Sequence, residues 1–117
     1  MRILFDHGTP DDLAHALAGH VVTYARKVGW DRLSNGQLLR AAEDAGFELL
    51  LTVDQGIRYQ QNLTGRKIAL LVLTGSSKWE RVRLRVVEIS AAVEAISPGS
   101  YTEIFIPFAP RPKFHQE

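Results

Sequence analysis

Arg2-Ile3-Leu4-Phe5-Asp6-His7-Gly8-Thr9-Pro10 is an apolar run that passes straight into a carboxylate and then into a helix start. Ile3, Leu4 and Phe5 carry nothing polar between them, the pattern of a strand covered on both faces, which places it inside a sheet rather than at an edge. Asp6 follows without an intervening turn, so its carboxylate is expected at the carboxyl end of that strand, where open α/β sheets bind their ligands. Gly8 supplies the turn, Thr9 is expected to accept from the first free N–H groups of a helix, and Pro10 suits the first helical position.

A second apolar run ends in the same way. Residues 47–52 read as a strand, apolar through Leu49, Leu50 and Leu51, and two residues beyond Thr52 stands Asp54. Between the two runs, residues 11–18 predict a helix stopped by Gly19, and residues 20–24, rich in β-branched side chains, predict a strand. Residues 25–33 form a connector broken at Gly29, with Trp30 packing over a sheet edge. Ser34 followed three residues later by Gln37 fits a capping box, and Leu38, Leu39, Ala41, Ala42 and Ala45 carry that helix to Gly46.

Beyond Asp54, residues 57–63 are a short polar segment, residues 68–73 a strand, and residues 74–77 a small polar loop. Residues 78–96 are expected to be the longest helix, with Arg81, Arg83 and Arg85 partly outward, and residues 101–106 alternate like a half-buried edge strand. Strands alternating with helices in so short a chain imply right-handed crossovers and an α/β fold in three layers, α/β/α, with a mostly parallel five-stranded sheet. The strand order does not follow from the pattern. If strands one and three are both near the middle, Asp6 and Asp54 share one edge.

A chain of 117 residues with 45% apolar content makes one domain, here residues 1–106, followed by a tail, residues 107–117, that holds three of the five prolines. Its net charge of +1 excludes a global nucleic-acid footprint and leaves room only for local basic surface. Cysteine is absent, which removes disulfides and thiolate chemistry and agrees with a reducing compartment. No apolar run approaches membrane-spanning length, and the N-terminal residues lack a signal-peptide pattern, so a cytoplasmic location with no membrane partner is expected.

Two carboxylates converging on a cleft repel, and a shared proton or a divalent cation relieves them. Aspartate oxygens suit Mg2+ or Mn2+. At these residues the chain resembles a known family: the runs ILFDHGTP, LSNGQLL and LLLTVDQG are similar to the signature blocks of short PIN-like proteins, relatives of VapC-type toxin ribonucleases. The resemblance spans Met1 to about Leu73, and implies a central first strand, magnesium-dependent cleavage of RNA and a small antitoxin protein as partner. The family's Asp-Glu after the first strand, its Asp at the start of the second helix and its Thr-x-Asp-x-Asp at the end of the third strand fall here on Asp6 with His7, on Asn35, and on Thr52, Asp54 and Gly56. Only Asp6 and Asp54 keep acidic character, and each lost carboxylate weakens the hold on a hard cation.

The resemblance thus implies Asp6, Asp54 and Asn35 as metal ligands and catalytic residues. His7 would move a proton or grip a phosphate. Arg58, Tyr59, Gln61 and Arg66 border the expected cleft as RNA-binding residues, with bases stacking on Tyr59 and phosphates on the arginines. Plainer roles stand beside these: Asp6 and Asp54 as capping acids, Asn35 as a turn residue, the segment after Asp54 as a solvated linker. Thr74, Ser76 and Ser77 would bind a phosphate or simply cap the next helix. Glu43 and Asp44 are expected to face solvent. The functional alternatives are a PIN-like ribonuclease of a toxin–antitoxin pair and a PIN-like module without catalysis that binds RNA or a protein. The edge strand leaves a homodimer or antitoxin docking open.

Overall fold

A computed structural model of the chain describes residues 1–57, 63 and 65–110. Five strands form one sheet in the order β2-β1-β3-β4-β5. They are β1 (Arg2–Phe5), β2 (Val21–Tyr24), β3 (Leu49–Thr52), β4 (Ala69–Gly75) and β5 (Tyr101–Ile106), and every pairing is parallel. The sheet is therefore wholly parallel. β3 is the central strand, and its four residues are all buried, as its uninterrupted apolar run demands. β1 lies beside it, with Ile3, Leu4 and Phe5 opposite Leu49, Leu50 and Leu51.

That register sorts the side chains into two faces. Ile3, Phe5, Leu49, Leu51, Leu71 and Ile104 share one core with Leu13, Leu17, Val82, Ile89 and Val93. Leu4, Leu50, Leu70 and Val72 share the other with Leu38, Leu39, Ala42, Phe47 and Ile57. Each core is roofed by helical segments, which makes the three layers.

The helix over the second core is α1 (Asn35–Asp44). It begins as its sequence predicts: Ser34 Oγ accepts from the Gln37 N–H at 3.3 Å, and Gln37 Oε1 accepts from the Ser34 N–H at 3.0 Å. It stops before Gly46, whose φ of +87° no side-chain-bearing residue adopts easily. Trp30 packs edge-on against Phe47 at this core.

The roof of the first core departs from expectation. Residues Asp11–Leu17 form a 3-10 helix instead of an α-helix, with Pro10 in the capping position and no side-chain cap. Thr9, expected to cap it, is buried and donates its hydroxyl to the Leu51 carbonyl at 3.3 Å, so it stitches the loop after β1 to β3. The single long helix expected over residues 78–96 is broken into α2 (Trp79–Val82), a 3-10 turn (Arg83–Arg85) and α3 (Val86–Glu94). Its apolar residues at 82, 84, 86 and 87 follow no one helical stripe, and the structure buries Val82 and Ile89 while leaving Leu84 58% and Val87 82% exposed. No helix among the described residues is long and apolar enough to cross a membrane.

Glu43 corrects a further expectation. Rather than facing solvent, it accepts from the backbone N–H groups of Lys67 and Ile68 and pairs with Arg66 at 3.0 Å, tying the end of α1 to the entry of β4. At the other end of β4, Gly75 (φ +82°) runs so close to β5 that an added Cβ would meet the Ile106 carbonyl oxygen at 2.2 Å. Past β5, Arg81 Nε donates to the Pro107 carbonyl at 3.0 Å and holds the first residue of the tail against α2.

Candidate functional site

The chain leaves β1 to add β2 on one side and then crosses to add β3, β4 and β5 on the other. In a doubly wound sheet this reversal opens a crevice outside the carboxyl ends of the two strands that flank it, here β1 and β3. Asp6 is the first residue beyond β1 and Asp54 the second beyond β3, so both stand at that crevice.

One buried hydroxyl joins them. Thr52 is fully buried, and its Oγ1 donates to Asp6 Oδ2 at 2.7 Å while accepting from the Asp54 N–H at 3.0 Å. A hydroxyl has one proton, so giving it to Asp6 leaves lone pairs for Asp54 and fixes the direction of the chain. Asp6 Oδ1 also accepts from the His7 N–H at 2.7 Å, and the Asp6 N–H continues the sheet ladder to the Leu51 carbonyl at 3.0 Å. Asp54 Oδ1 accepts from the Gly56 N–H at 3.0 Å, the turn-capping role considered for it, and Oδ2 accepts from Asn35 Nδ2 at 3.1 Å. The start of α1 is thereby docked onto the end of β3.

Among the described residues each carboxylate oxygen takes one hydrogen bond from a neutral donor, and an ionised carboxylate has about four acceptor positions, so both retain lone pairs for another ligand. Among the described residues no three His, Cys, Asp or Glu side chains converge as a metal cage. Mg2+ does not need one: it keeps several waters and is commonly held by one or two carboxylates together with substrate phosphates. Asp6 and Asp54 offer two carboxylates at one rim of the sheet, and among the described residues there is no set of three nitrogen or sulfur ligands for a softer metal.

Of the other expected site residues, Asn35 reaches Asp54, and the exposed His7 lies beside Asp6 in the chain. Arg66 does not join them. It precedes β4, at the amino rim of the sheet, and is engaged by Glu43, so the expected RNA contact at the cleft is corrected for this residue. Arg58, Tyr59 and Gln61 lie outside the described residues. Ser76 Oγ accepts from the Lys78 N–H at 3.2 Å and Thr74 is directed to the Ile104 carbonyl, which are structural roles at the end of β4. Thr52, which the resemblance matches to the threonine of the family's third-strand motif but to which sequence reasoning gave no role, is the residue that links the two acids. Its signal was a lone hydroxyl at the end of an otherwise apolar strand, two positions before an acid.

Elsewhere among the described residues, two ion pairs move the titration of their members. Glu43 titrates below the usual carboxylate range, first because the Lys67 N–H bonds to it, then through the Ile68 N–H and the Arg66 guanidinium. The hydrogen bond from Arg26 likewise lowers Asp11 and raises Arg26, on an exposed pair. The chain matches no family model, no curated protein and no solved structure.

Proposed function

We propose that this protein is a PIN-like, metal-dependent ribonuclease, acting as the toxin of a toxin–antitoxin pair in the cytoplasm and restrained by a small antitoxin protein. The observation that carries this reading is the Asp6–Thr52–Asp54–Asn35 hydrogen-bonded chain at the β1/β3 crevice. Such a construction positions two acids that would otherwise repel. Mg2+ or Mn2+ bound there would supply charge neutralisation at the scissile phosphate and activation of the attacking water. Asp6 and Asp54 would hold the cation, with Thr52 and the His7 N–H fixing the first carboxylate, and Asn35 and the Gly56 N–H fixing the second. His7, exposed and next to Asp6 in the chain, would grip a phosphate or give a proton to the leaving oxygen.

The scarcity of acids supports a second reading, a PIN-like module that binds RNA or a protein without cutting. One experiment separates the two. Calorimetric titration of Mg2+ and Mn2+ into the wild type and Asp6→Asn, with cleavage of single-stranded RNA followed in parallel, is expected to show binding and cutting by the wild type only. Asp6→Asn should lose about a hundredfold or more in affinity and rate, since even an outer-sphere change at a metal site costs up to that much. A wild type that binds neither cation at millimolar concentration and leaves RNA intact retains only the binding role.

A further inference from the structure

The carboxyl rim of the sheet does not end at the acid pair. At its far end, past β4 and β5, a groove of about 370 Å3 is lined by Ser77, Lys78, Glu80, Arg81 and Phe108. We propose that this groove is a subsite for single-stranded RNA, binding a phosphate through Lys78 and Arg81 and stacking a base on Phe108; it rests on the reading of the Asp6–Asp54 rim as a nuclease centre.

Three observations on this chain carry it. Lys78 is exposed and, among the described residues, its ammonium group has no ion-pair partner. Arg81 is half-buried and anchored through Nε to the Pro107 carbonyl, which leaves its terminal nitrogens for another acceptor at little cost in side-chain freedom. Phe108, next in the chain to that anchor, is 65% exposed, an apolar ring in the lining of a groove that also carries two cations. Two cations and an aromatic face in one groove are the elements by which proteins hold single strands without reading their sequence. Glu80 is the one opposing carboxylate in the lining.

The placement matches the chemistry. From the β1/β3 crevice to the β4/β5 end is two strand spacings sideways and three residues of strand rise, about 14 Å in all. A few nucleotides of extended strand span that distance. The cavity at the opposite rim, also about 370 Å3, sets Glu43 and Glu48 against Lys67 and the amino group of Met1, so its lining has no excess of cations. A groove whose lining carries an excess of cations, Lys78 and Arg81 against Glu80, thus stands on the rim that also carries the acid pair.

The test uses a fluorescein-labelled single-stranded RNA of roughly ten nucleotides, within the range that small single-strand-binding domains cover. Its anisotropy is read in EDTA with the wild type, Phe108→Ala and Lys78→Ala, whose parent side chains are exposed and can be truncated without unfolding the chain. Each variant is expected to bind about tenfold more weakly, and Lys78→Ala to lower the slope of log affinity against log salt by about one. Wild-type affinity in both variants overturns the subsite, as does a wild type that binds no RNA in EDTA. Cleavage with Mg2+ is measured alongside. Undiminished cutting and binding by both variants would remove the subsite and leave the nuclease; weakened binding with no cutting by any protein would remove the nuclease and leave the subsite.

Discussion

Thr52 decides more at the rim than any acid does, because one hydroxyl orders two carboxylate-bearing loops. Thr52→Val keeps the shape and removes the bonds, leaving the Asp54 N–H and one Asp6 oxygen to find other partners. Urea denaturation is expected to show a loss of about 1–3 kcal/mol, the usual cost of a stranded buried polar group. On the proposed nuclease reading, calorimetry should show Mg2+ affinity falling by roughly tenfold or more, as when an outer-sphere partner is removed from a metal ligand. Thr52→Ser, which keeps the hydroxyl, restores both; a valine variant with unchanged stability would show that the link carries no load.

Among the elements, α1 has two tasks. It roofs the second core with Leu38, Leu39 and Ala42, and its first residue, Asn35, carries the amide that reaches Asp54. Ser34 serves both by fixing the first turn through its capping box. Ser34→Ala is expected to cost about 1 kcal/mol in denaturant unfolding. Hydrogen exchange should quicken in the first turn of α1 and leave its last turn unchanged, and uniform exchange along the helix would contradict the local role. This element was legible because a capping box is a contact within four residues. The helices at 11–17 and 78–94 were not, since their form depends on which apolar residues the sheet underneath can take.

For the molecule as a whole, stability toward acid should pass in part through Glu43, which bridges α1 to the entry of β4. Its pKa is lowered in the folded state, so below the ordinary carboxylate range the unfolded chain binds the proton more readily. The stabilisation is complete above the unfolded value and is lost as pH falls through the folded one. In thermal melts, Glu43→Gln is expected to be less stable than the wild type at neutral pH and to lose less of its stability below about pH 5. Parallel curves for the two proteins would refute the linkage. By itself the sequence determined that two apolar strands end in acids, that a capped helix lies between them, and that the sheet is mostly parallel and covered on both faces, because each is a pattern of neighbours along the chain. Only the tertiary structure decided that β1 and β3 are adjacent, that Arg66 turns to Glu43 at the far rim, and that Thr52 joins Asp6 to Asp54. Strand order and register are set by how whole faces pack, and no local spacing encodes which distant residue a buried hydroxyl will meet.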